Sequence, residues 1–233
     1  MFLIRSVFLP VALLGVLALS TACIQSQSVG KLPTPQVSPK TADDLGWLQA
    51  FTGSYEDGGV GDVKWDARFQ LLMKASFHQH QSFWREQGKL LPVPDLVEVF
   101  LGIPESVTAE ENRFYTVKGC VPHVCTEKGM VWIDRQDAAN PGVIFVAMDE
   151  VHTAEEEQAS VHLWLFSRTK LNWQKLPPNF LKNLSQWWKQ TQEYSKDTVP
   201  EELYIATIVQ PTGETVDLTP GLLKKLASAA TKK

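Results

Sequence analysis

The sequence predicts an α+β fold: a single domain in which helices cover a mostly antiparallel sheet of about five strands. Three observations carry this. Apolar residues recur at helical spacing in the first half of the chain and again after residue 178. Runs of β-branched and aromatic residues of strand length lie between Arg113 and Val209. The chain has 233 residues, 44% of them hydrophobic, with 8 Trp and 11 Phe, enough for one substantial core.

Residues 1–22 read as a signal peptide. Arg5 supplies the positive start, Val7 to Leu19 is apolar, and Ser20-Thr21-Ala22 offers the small residues that an export peptidase needs. The apolar stretch is short for a membrane span, which takes roughly 20 residues. Cys23 follows, and Leu19-Ser20-Thr21-Ala22-Cys23 resembles a bacterial lipobox, with Ser20 where an aliphatic residue is usual. That resemblance implies a lipid on Cys23 and anchorage to a membrane. Ile24 at the second position resembles the outer-membrane type of Gram-negative lipoprotein. Simple cleavage after Ala22 is the alternative. The chain has three cysteines, and one lipidated residue plus one disulfide uses them all. From residue 23 to 42, Pro33, Pro35 and Pro39 recur among Ser and Gln. This is a flexible tether with a reach of roughly 20 to 30 Å.

The folded domain is expected to span 43–233. Leu45, Trp47, Leu48 and Phe51 form a short amphipathic helix behind an acidic first turn, Asp43-Asp44, with Gly53 to end it. Glu56 to Gly61 is a glycine-rich turn. Phe69, Leu72, Met73, Phe77 and Trp84 predict a helix from Trp65 to about Trp84. Lys89 to Pro94 breaks that pattern, and Pro94 to Leu101 is another short helix, stopped by Gly102 and Pro104. Strands follow at Arg113 to Cys120, Met130 to Asp134, Val143 to Met148, Val161 to Ser167 and Leu203 to Val209. Val143 to Met148 is apolar without alternation, so it lies centrally with both faces covered. Asn179 to Tyr194 reads as a helix with Phe180, Leu184 and Trp187 on one face and Pro177-Pro178 at its start. Leu222 to Ala230 forms a final frayed helix.

The most informative stretch is Cys120-Val121-Pro122-His123-Val124-Cys125. It connects two predicted strands, and export to an oxidising compartment favours a Cys120–Cys125 disulfide. So small a ring gains only about 2 kcal/mol in the chain-entropy model. Its larger effect is to pre-order the loop and present His123 beside Pro122, whose ring fixes one backbone angle. The segment Phe114-Tyr-Thr-Val-Lys-Gly-Cys120-Val-Pro-His-Val-Cys125, followed by a strand, resembles the Ivy family, the periplasmic inhibitors of vertebrate-type lysozyme. Those proteins carry a Cys-Lys-Pro-His-Asp-Cys loop between two strands. The resemblance runs from about Trp65 to Ser167. It implies an α+β sandwich whose loop enters the cleft of a lysozyme-type muramidase, where His123 meets the two catalytic carboxylates. Cys120, Pro122, His123 and Cys125 match the motif. Val121 replaces its Lys and Val124 its Asp, which leaves a more apolar loop. The alternative is a non-inhibitory envelope lipoprotein of the same fold that serves as a scaffold or assembly partner.

Other candidates carry less. His78-Gln79-His80 has a metal-like spacing if the segment is extended, but on the expected helix the two rings diverge, and a helix edge is preferred. Asp149, Glu150 and His152 follow a buried strand, with Glu155-Glu156-Glu157 soon after. Carboxylates and a histidine at a strand end can be catalytic, yet a solvated loop is preferred, and it adds negative charge that suits a basic target. Trp187-Trp188 fits core better than a sugar-binding surface. No nucleophile elbow, phosphate loop or zincin motif occurs, so no catalytic residue, metal or cofactor is assigned. The formal net charge of -4 and the lack of a Lys/Arg run argue against nucleic acid. A homo-oligomer is compatible with this reading.

Overall fold

The computed structural model describes residues 42–57, 60–137, 140–151, 160–194, 202–218 and 221–222. All belong to the compact unit Pro39–Lys233. The signal peptide, Cys23, the tether up to residue 41, His152, Glu155 to Glu157 and most of the expected terminal helix lie outside the described residues.

Ala42–Phe51 is helical as expected, but as a 3-10 helix. With three residues per turn, Leu45 and Leu48 fall on one face, and both are buried. Gly53 ends it and opens the short strand β1 (Gly53–Ser54). The expected long helix from Trp65 to Trp84 is much shorter. α1 spans Ala67–Ser76, started by Asp66, whose carboxylate accepts the Arg68 backbone N–H at 2.8 Å. Beyond Ser76 two buried glutamines hold the chain in non-helical form. Gln79 Nε2 donates to the Ser167 carbonyl at 2.6 Å. Gln81 Oε1 accepts from the backbone N–H of Phe83 and Trp84 at 3.0 and 2.8 Å. Phe77 therefore reaches the core from extended backbone, at φ -126 and ψ 114.

A two-residue hairpin then joins β2 (Arg85–Glu86) to β3 (Lys89–Leu90), with φ of 49 and 80 at Gln87 and Gly88. α2 (Val93–Phe100) starts one residue before the expected helix and buries Leu96, Val97 and Phe100. The main sheet adds β4 (Ile103–Glu110), β5 (Phe114–Val121), β6 (Val124–Asp134), β7 (Gly142–Val151) and β8 (Ser160–Ser167). α3 (Pro178–Tyr194), β9 (Glu202–Val209) and β10 (Thr215–Asp217) complete it.

The sheet has eight strands in the order β1-β4-β5-β6-β7-β8-β9-β10, so the expected five is an undercount. β1, β4 and β10 were not predicted. β4 reads Ile-Pro-Glu-Ser-Val-Thr-Ala-Glu, with too few β-branched residues to stand out, and β1 and β10 are two and three residues long. Every pairing is antiparallel except β8 with β9. Parallel neighbours need a long crossover, and α3 lies in that connection.

Alternate residues of the central strands feed two cores. Val131, Ile133, Phe145 and Ala147 pack with α1, α2 and the first 3-10 helix. Met130, Trp132, Ile144, Val146 and Met148 pack on the other side with Phe180, Leu184 and Trp187 of α3. Val143 to Met148 is thus central and covered on both faces, as its uninterrupted apolar pattern implied. Trp187 is fully buried and Trp188 packs against the same cluster, so this pair is core.

Candidate functional site

The β5–β6 hairpin carries the site. Gly119 and Gly129 face each other across it. Neither has a side chain, so the end of α2 lies directly on the hairpin. A Cβ on Gly129 would stand 2.7 Å from the Phe100 carbonyl oxygen, and one on Gly119 would stand 2.9 Å from Leu101 Cα. Gly102 continues this close approach under the tip, against the Pro122 ring. The Lys64 ammonium donates to the Gly102 carbonyl. Burial lowers the Lys64 pKa, with nearby Glu98 opposing.

Val121 pairs with Val124, which leaves Pro122 and His123 as the two turn residues. Proline first and a positive φ of 68 at His123 suit a type II turn. Register then slips: Cys120 pairs with Lys128, so Cys125, Thr126 and Glu127 bulge from β6. The Cys120–Cys125 disulfide ties the bulge to β5, with the Cα atoms 5.0 Å apart. Two charged residues fix its far end. The buried Glu127 carboxylate accepts the Glu150 backbone N–H of β7 at 3.1 Å. Lys128 pairs with Glu105 of β4 at 2.9 Å.

The six loop residues do not share one environment. Val121 is buried in the core beneath α2, and Cys120 is buried on the opposite face. Pro122, His123 and Val124 are exposed, and Cys125 is half-buried. Val121 therefore offers nothing to a partner. The His123 ring has no hydrogen-bond partner among the described residues. Val124 and Ile103 of β4 are exposed apolar side chains at 45% and 41%, and they flank the disulfide. A cavity of about 430 Å³ lies beside it, lined by both cysteines, Ile103, Glu105, Lys128 and Trp187. Nearby Lys118 is largely buried and donates to Gln190 Oε1 at 3.0 Å. Burial lowers its pKa, while Glu105 and Glu110 pull it up.

The remaining candidates separate. Asp149 and Glu150 do not lie in the expected solvated loop: both continue β7, opposite His162 and Val161 of β8, because the strand pairing runs on to Val151, and the Glu150 backbone N–H donates to the Glu127 carboxylate. Burial raises the Asp149 pKa, with the Trp164 indole opposing. His162 escaped the sequence reading. It stacks on Trp164 at 3.9 Å, and its Nε2 lies 3.0 Å from Thr207 Oγ1. Burial pushes its pKa down to about 4, with Asp217 opposing. Its parity with Trp164 and Phe166 in the strand pattern was the available signal. His78 and His80 leave the expected helix edge for a non-helical segment that starts at the extended Phe77. No group of three or more metal-ligating side chains occurs among the described residues. No helix there is long and apolar enough to cross a membrane.

Comparison with protein-family models, with curated proteins and with solved structures returned no match.

Proposed function

We propose that this chain is an envelope-located proteinaceous inhibitor of a C-type lysozyme, with His123 as the group inserted into the target's cleft. The observation that supports it is the isolated imidazole at the tip of a turn closed by the Cys120–Cys125 disulfide. A glycosidase of this kind needs two carboxyl groups, one of them as an acid. An imidazole placed between them occupies both and excludes the sugar. A protonated ring would make charge-assisted hydrogen bonds, roughly twice as strong as neutral ones. The turn backbone is ordered in advance, so binding does not have to fix it. Val124 and Ile103 supply apolar contact around it. Lipid on Cys23 and the tether beyond it belong to the same proposal: they keep the inhibitor at the membrane where wall is exposed to attack.

The test uses protein lacking residues 1–23. It should suppress lysis of bacterial walls by a C-type lysozyme, and His123→Ala should lose most of that effect. Undiminished inhibition by His123→Ala removes His123 from the role. No inhibition by the parent, together with capture of envelope proteins but not lysozyme, favours the scaffold reading, for which the exposed Val124–Ile103 patch would serve equally well. Intact mass of the membrane fraction reads the lipid on Cys23.

A further inference from the structure

The expected helix through residues 78 to 80 set their imidazoles on diverging directions. The structure removes that objection. The chain turns extended at Phe77, and exposure alternates: His78 and His80 are exposed while Gln79 is buried. In extended backbone, residues two apart share a face. Gln79 holds the segment in place through its bond to Ser167 on β8, and its Oε1 also accepts the His78 backbone N–H at 3.0 Å. Gln81 fixes the following turn. Both histidines line one cavity of about 510 Å³, together with Phe77, Leu90 and Pro92. Neither ring has a hydrogen-bond partner among the described residues.

We propose that His78 and His80 chelate one borderline divalent cation, copper(II) in preference to zinc. The reach is adequate. Alternate Cα atoms of extended chain are roughly 6.6 Å apart. Two nitrogens bound at about 2.0 Å in adjacent positions sit roughly 3 Å from each other, which two free side chains can span. Imidazole suits copper and zinc, and copper forms the tighter complexes with a given nitrogen site. No third His, Cys, Asp or Glu joins them among the described residues, so solvent fills the remaining positions. Lys74 lines the same cavity, and its ammonium repels a dication. The site is therefore an accessible, exchanging one rather than a closed structural centre.

Full-length protein in detergent is titrated with copper(II) chloride alone, and binding is followed by calorimetry and electron paramagnetic resonance. The expected result is one saturable equivalent with two coordinated imidazole nitrogens. His78→Ala and His80→Ala should each weaken it at least about tenfold and remove the two-nitrogen signature. His123→Ala should leave it unchanged. Binding that persists in both single variants, or that follows His123, overturns the proposal. Both rings are exposed, so the substitutions should not disturb folding; His78→Gln and His80→Gln, checked by thermal melting, repeat the comparison if either alanine variant unfolds.

Discussion

Gly102→Ala tests whether α2 braces the turn. A Cβ at this position would stand 2.3 Å from Pro122 Cδ, 2.6 Å from Pro122 Cγ and 2.9 Å from the Val99 carbonyl oxygen. Carbon atoms attract best at about 3.5–4.0 Å, so the proline ring must retreat by roughly 1 Å or more. It has little freedom to do so. Val121, the residue before it, is held in the core, and Cys125 is bonded back to Cys120. Overpacking of this kind costs about 1–3 kcal/mol. Alanine recovers about 0.4–1 kcal/mol by restricting the unfolded chain. The expected net loss is up to about 2.5 kcal/mol, centred on about 1 kcal/mol, read from equilibrium urea unfolding. Pro122→Ala removes Cγ and Cδ, so in that background only the Val99 contact remains. The double-mutant cycle should then return a coupling of at least about 1 kcal/mol. A Gly102→Ala penalty of equal size in both backgrounds would refute the brace.

Two further outcomes follow from the same structure. His123 sits at φ 68 in the left-handed region, where a residue with a Cβ is strained by about 1–2 kcal/mol; glycine relieves this and gives back a similar amount of chain entropy. His123→Gly should therefore change urea stability by less than about 1 kcal/mol while losing lysozyme inhibition, and a larger loss would mean that the ring packs on the body. His162 has its folded pKa lowered from 6.5 to about 4 by burial, so the unfolded chain binds the extra proton and stability should fall as pH drops from 6.5 toward 4, then level off. The full shift corresponds to roughly 3 kcal/mol, and solvent around a half-buried ring reduces it to about 1–2 kcal/mol. Asp149 acts with the opposite sign, because its raised folded pKa adds stability as pH falls below that value. The measurement is thus the difference between parent and His162→Gln across this range; identical pH profiles would contradict the assignment.

The legible parts of the fold were those whose pattern is local. Val143 to Met148 announced a strand covered on both faces, and Phe180, Leu184 and Trp187 announced the helix that covers one of them. The failures have physical causes. The helical period of Phe69, Met73 and Phe77 continues past Ser76, but two glutamine side chains end the helix there: Gln79 bonds to the distant Ser167 backbone, and Gln81 bonds to the backbone of the turn that follows it. Nothing local reveals that Gln79 will find Ser167. β4 is a strand because β5 pairs with it, not because its own residues demand it. In the loop, the cysteines and the proline-histidine turn could be read directly. The bulge could not: the sequence pattern ends one strand at Cys120 and begins the next at Met130, whereas pairing continues to Val121–Val124, and the three extra residues on β6 are stabilised by Glu127 and Lys128, whose partners lie on β7 and β4.

That bulge changes how the departures from the Ivy motif bear on function. Taken as a string, the loop replaces two charged positions with valine, and both substitutions weaken the case for a lysozyme partner equally. In three dimensions they are not equivalent. Val121 still follows the alternation of β5 and enters the core beneath α2, where an apolar residue is what the surroundings require. Only Val124 stands in solvent beside His123. The chemistry open to a partner therefore reduces to a proline edge, one imidazole and one valine, in a turn strained at its histidine and fixed from four directions. Backbone strain of this kind persists only where the surroundings over-determine it. Here they do so through the disulfide, through Gly102 under Pro122, and through the anchors at Glu127 and Lys128. Such a construction holds the His123 backbone away from the body, as the proposed insertion of its side chain would require.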